Sequence, residues 1–149
     1  MVSLVKYNMN NQDVLNKFAD GIDCGQVIVE EIAKDLNLDV KQALKAAAAF
    51  GGGMYEGEMC GSYIGGLIAV GLKYGHCEPG DGIAKGQLVS KVFEYKEKYK
   101  ELQKSNICSD ILGYNLTIPE EAKIIEEKQL MTTVCPKLVI DIINIVKEL

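Results

Sequence analysis

The chain carries five cysteines, and four of them, Cys24, Cys60, Cys108 and Cys135, fall where the local sequence opens a helix. Cys24 follows Ile22-Asp23, Cys60 starts an apolar glycine-rich run, Cys108 follows Ser105-Asn106-Ile107, and Cys135 precedes Pro136. A helix start presents unpaired backbone N–H groups and the positive end of the macrodipole. Both favour thiolate over thiol, and the thiolate is the form that attacks disulfides and binds metals. These four residues are therefore the candidate redox-active and metal-ligating set. Glu56 and Glu58, close to Cys60, would oppose ionisation as like charges, and are read as solvated.

Three chemistries can use such sulfurs. They can converge on an iron–sulfur cluster or another thiolate-bound metal. They can work as two dithiol–disulfide couples in a thiol oxidoreductase, with a pairing that spacing does not choose. They can also be small buried side chains with no chemistry. The separations of 36, 48 and 27 residues include no C-x-x-C pair, which weakens the case for a zinc ribbon. Cys77, beside the single histidine His76 in a Gly/Pro loop, reads as an exposed free thiol. The absence of C-x-x-C-H excludes c-type haem attachment. Gly51 to Gly57 lacks the Gly-Lys-Ser/Thr and the preceding strand of a phosphate loop, so no nucleotide is expected there.

The elements that would position these sulfurs read as helices throughout. Asp23 with Gln26 forms a capping signal, and Val27, Ile28, Ile32 and Leu36 recur at helical spacing. Asp39 with Gln42 opens a second helix, Val40 to Phe50, which Gly51-Gly52-Gly53 ends. A third runs from about Cys60 to Tyr74. Leu88, Val92, Tyr95, Tyr99 and Leu102 mark a long amphipathic helix, laid over the core or paired with a second copy as a homodimer. A short turn spans Cys108 to Leu112, Pro119 starts a helix to about Glu127, and the last helix begins at Pro136 with Leu138, Val139, Ile142, Val146 and Leu149 as its apolar stripe. No period-2 alternation persists. The expectation is one all-α domain over residues 1–149, a bundle of about five to seven helices, with residues 1–10 as a flexible N-terminal segment.

Composition sets the outer bounds. A net charge of −5 over 149 residues argues against nucleic acid or an anionic membrane as the main partner. The N-terminus has no basic flank before an apolar run, and the most apolar stretch, Tyr63 to Leu72, is about half the ~20 residues a spanning helix needs. No membrane insertion and a cytoplasmic location are expected. In that reducing compartment such cysteines are metal-binding or catalytic rather than structural disulfides.

Nine of the fifteen glycines lie between Gly51 and Gly75. Gly57, Gly61 and Gly65 fall four apart, a bare stripe where a second backbone or a cofactor can approach closely. Tyr55, Tyr63 and Tyr74 flank this run as core residues or as shields for a site.

The runs Phe50-Gly51-Gly52-Gly53-Met54, Cys60-Gly61-Ser62-Tyr63-Ile64-Gly65 and Gly71-Leu72-Lys73-Tyr74-Gly75 resemble the C-GCAxxG-C-C family of redox-active proteins, which is defined by four cysteines and a CGAxxG motif. Ser62 replaces the motif's alanine, Cys24, Cys108 and Cys135 fall where the other three cysteines belong, and Cys77 lies outside the pattern. The resemblance, from about Ile22 to Val146, implies redox activity or metal binding with Cys24, Cys60, Cys108 and Cys135 as ligands and Gly61 and Gly65 beside the cofactor. It also resembles the non-haem portion of split-Soret cytochromes, which implies an iron–sulfur centre for electron transfer to a redox partner protein that the sequence does not identify. The family's association with transport functions implies an alternative, a non-catalytic accessory module with a transport-related partner.

Overall fold

The computed structural model describes residues 9–149. The expected flexible segment over residues 1–10 therefore lies almost wholly outside the described residues. Helices α1 (Asn11–Ala19), α2 (Cys24–Asp35), α3 (Val40–Ala46), α4 (Gly61–Tyr74), α5 (Gly82–Leu102), α6 (Cys108–Leu112), α7 (Pro119–Glu127), α8 (Leu130–Thr133) and α9 (Cys135–Glu148) follow in order. The all-α class is as expected. Among the described residues the segments outnumber the five to seven foreseen, partly because α6 and α8 are single turns of five and four residues.

The apolar stripes explain the assembly. Val27, Ile28 and Ile32 of α2, Tyr63, Ala69 and Val70 of α4, Tyr95 and Tyr99 of α5, and Leu138, Val139, Ile142, Ile143 and Val146 of α9 pack into one core. Helix α5 carries Leu88 and Val92 onto the same core. That part of its stripe packs within the chain, while Leu102 at its end stays exposed. No single helix among the described residues is long and apolar enough to cross a membrane.

Local chemistry sets the helix ends. Asp23 and Gln26 close a reciprocal capping box at α2, as the sequence indicates. Asn10 and Asp13 make another at α1, a helix the sequence reading missed. The foreseen Val40-to-Phe50 helix breaks at Ala46 and tightens into a 3₁₀ turn over Ala48–Phe50.

Gly52 to Tyr55 then runs left-handed, with φ of 58° at Gly52, 67° at Gly53, 59° at Met54 and 57° at Tyr55. Two consecutive side-chain-bearing residues in this region cost about 1–2 kcal/mol each, and such strain persists only where the surroundings enforce it. Here Gly53 is wedged against the Glu58 backbone and the Cys108 Cβ, and the Tyr55 hydroxyl donates to the Asp23 carboxylate at 3.3 Å. Met54→Gly should relieve part of the strain, net of the added chain entropy, and raise unfolding free energy by roughly 0.5–1 kcal/mol. Urea denaturation measures this, and a destabilised variant would contradict it.

Candidate functional site

Glycines bring α2 and α4 together. A Cβ on Gly65 would lie 2.7 Å from the Gly25 Cα and 2.8 Å from its carbonyl oxygen, so only glycine fits. A Cβ on Gly61 would lie 2.7 Å from the Phe50 carbonyl oxygen and 2.9 Å from the Cys24 Sγ. The bare stripe thus serves helix packing at Gly65, while Gly61 makes room for a cysteine. Gly57 stands outside α4, against the Asn115 side chain. It is not part of that stripe.

A second device joins Cys60 to Cys108. Met59 and Ile107 form an antiparallel bridge. The Cys60 N–H donates to the Asn106 carbonyl at 2.7 Å, and the Cys108 N–H donates to the Glu58 carbonyl at 2.6 Å. The residues flanking such a pair project from one face, which sets Cys60 and Cys108 diagonally across it. In regular pairing that diagonal is roughly 7–8 Å, or slightly less between Cβ atoms.

The four cysteines begin or cap their helices: Cys24 is the first residue of α2, Cys60 the N-cap of α4, Cys108 the first of α6 and Cys135 the first of α9. All four line one cavity of about 120 Å³. Phe18, Ile22, Ile111, Leu112, Leu116, Met131 and Leu138 supply its apolar walls, and Gly51, Gly52, Gly53, Gly61, Asp23 and Ser62 complete it. Cys60 and Cys108 are buried, Cys24 and Cys135 are partly exposed, and all four are free thiols. Gly65 does not line the cavity. The exposed Cys77 does not line it either.

The sequence reading missed Asp23, Ser62, Met131 and the Gly51–Gly53 wall. Only the three glycines carried a signal, and it was read as a helix end. Of the tyrosines, Tyr63 stacks in the core with Tyr95 and Tyr99 at centroid distances of 5.7 and 4.7 Å. Tyr74 donates its hydroxyl to the Leu149 carbonyl. Both are core residues, as the plainer reading held. Tyr55 alone reaches the rim of the cavity, through Asp23.

The electrostatics reverse one expectation. Helix starts were expected to lower these thiol pKa values. Burial instead pushes Cys24 up to about 12, with repulsion from Cys60 and Cys108 adding to it, against opposing hydrogen bonds from the Ser62 side chain and the Gly25 N–H. Burial followed by repulsion from Cys60 pushes Cys108 up to about 11. Burial and the other three sulfurs also raise Cys135. A helix terminus contributes about 0.3–1 kcal/mol, less than the cost of bringing several anions into one apolar cavity. Without a cation Cys24, Cys108 and Cys135 stay protonated at neutral pH.

That sets a pH dependence. The folded values of Cys24 and Cys108 lie above the ordinary 9.0, so their stabilisation is complete below pH 9. It is lost progressively from pH 9 upward, until pH passes the folded values of about 12 and 11. At pH 10 each such thiol should cost the metal-free protein roughly 1 kcal/mol. Urea midpoints at pH 8 and pH 10 should fall less in Cys24→Ala than in the wild type. Equal slopes would contradict the shift.

Among the described residues no three His, Cys, Asp or Glu side chains close on a geometry suited to a single metal ion. The family model described as "Putative redox-active protein (C_GCAxxG_C_C)" matches residues 22–149. The chain belongs to this family. All four cavity cysteines and the Cys60–Gly65 motif lie within the matched span, and so does the glycine wall. No curated protein and no solved structure matches the chain.

Proposed function

We propose that this protein carries electrons through a metal centre held by Cys24, Cys60, Cys108 and Cys135, and that the centre is an iron–sulfur cluster. The observation that carries the reading is the convergence of four helix-starting cysteines, remote in sequence, on one largely apolar cavity. The donor chemistry fits: cysteine thiolates are the usual ligands of such clusters. A cluster also spans a wider set of sulfurs than one zinc ion does, in keeping with the diagonal placement of Cys60 and Cys108. The cluster would supply reversible one-electron transfer. The protein's own part is to hold the sulfurs, exclude water with Phe18, Ile22, Leu112 and Leu138, and direct the Gly25 N–H to the Cys24 sulfur. Raised thiol pKa values fit a site that needs positive charge to ionise, so loading should release protons.

Anaerobic reconstitution with iron and sulfide tests the reading. The expected result is a coloured protein with visible charge-transfer absorption, stoichiometric iron and sulfide, and proton release on loading. A colourless, iron-free protein after reconstitution would overturn it.

A dithiol–disulfide oxidoreductase is the second reading, favoured by the adjacency of Cys60 and Cys108. Mass mapping of the oxidised protein identifies which pair forms. A cytoplasmic redox partner belongs with the first reading, and a transport-related partner with a purely accessory role.

A further inference from the structure

Ser62 stands where this chain departs from the CGAxxG pattern, and it occupies the first turn of α4. It is 1% exposed, yet it lines the cavity with the four cysteines. Cys24 lies directly against this turn, since a Cβ on the neighbouring Gly61 would sit 2.9 Å from its Sγ. No buried side-chain oxygen or nitrogen among the described residues lacks a hydrogen-bond partner, and the Ser62 side chain hydrogen-bonds to Cys24. An alanine there would remove the hydroxyl and leave Cys24 with the Gly25 N–H as its remaining donor.

We infer that Ser62 is a positioning residue for the redox site, whose hydroxyl donates to the Cys24 sulfur and so favours the more negative, reduced form of whatever that sulfur holds. The inference rests on the metal-centre reading for its effect on potential, and on the apo structure for its effect on Cys24 itself. Hydrogen bonds to ligand sulfurs are one of the terms that set cluster potentials, because reduction adds negative charge that a donor stabilises.

Two measurements on wild type, Ser62→Ala and Ser62→Thr test it, with helical circular dichroism confirming that each variant folds. In metal-free, reduced protein at pH 9, iodoacetamide labelling of each cysteine is followed by mass spectrometry. Loss of the donor lowers the thiolate fraction while partly raising its nucleophilicity. Cys24 in Ser62→Ala should therefore label about threefold more slowly, Cys108 and Cys135 should be unchanged, and Ser62→Thr should keep the wild-type rate. An unchanged Cys24 rate, or an equal change at every cysteine, would overturn the inference. In iron- and sulfide-reconstituted protein, Ser62→Ala should shift the one-electron equilibrium toward the oxidised form by up to about tenfold, 59 mV in midpoint potential. An unchanged potential would likewise overturn it. If no variant takes up iron but the labelling follows the pattern above, the metal reading fails and the Ser62–Cys24 contact stands.

Discussion

Gly65→Val should destabilise the protein by about 3 kcal/mol or more, the upper range for forcing added atoms into a packed interior. The new Cβ would meet the Gly25 Cα at 2.7 Å and its carbonyl oxygen at 2.8 Å, and these are backbone atoms that no rotamer change can move aside. Helices α2 and α4 would have to separate along their whole contact. For a chain of 149 residues that loss lowers the melting temperature by roughly 6–12 °C, read by circular dichroism. Gly71 in the same helix provides the control. A Cβ there meets nothing within 4 Å, so Gly71→Ala should stabilise by about 0.5–1 kcal/mol through helix propensity alone. The Gly65 variant should also take up less iron, because Cys24 rides on α2 and Cys60 on the start of α4. A Gly65→Val protein as stable as the wild type would mean that the glycine stripe does not set the helix spacing.

Cys60→Ala and Cys108→Ala should each reduce iron bound after reconstitution at least tenfold, while Cys77→Ala leaves it unchanged. Cys60 and Cys108 are buried in the cavity wall, and Cys77 is exposed in the loop before α5. The apo variants should fold, since losing one small buried side chain costs at most a few kcal/mol. What they should lack is the added stability of the loaded form. A ligand present at a thousand times its dissociation constant stabilises by about 4 kcal/mol, so the wild type should melt higher after loading and the two variants should not. Full iron uptake by either variant would remove its cysteine from the centre. Loss of uptake in Cys77→Ala would mean that the loop reaches the site.

These outcomes test parts of the molecule that were legible in sequence to very different degrees. Helices α2, α4, α7 and α9 begin within a residue of where caps, prolines and apolar spacing place them. The cues are local, so no tertiary information is needed. Helix α1 was missed although its Asn10–Asp13 capping box is complete and Val14, Leu15 and Phe18 keep helical spacing. The break after Ala46 was missed because the alanine run that follows favours helix, and the chain must instead turn to enter the left-handed segment from Gly52.

The identities of the four cysteines and their placement at helix starts were readable from residue order alone, and so were the all-α class and the family pattern. Which glycine does what was not. Gly65 faces a backbone and Gly61 faces a sulfur, a difference set by the crossing of α2 over α4. Nor could sequence give the protonation of the thiols, because the helix-start effect is local whereas desolvation and mutual repulsion arise only when distant segments close one cavity. Asp23, Ser62 and Met131 joined that cavity for the same reason. Local sequence decided where each helix begins and which sulfur it carries; only the packing of those helices, through a glycine contact and one short antiparallel bridge, decided that the sulfurs share a single apolar space.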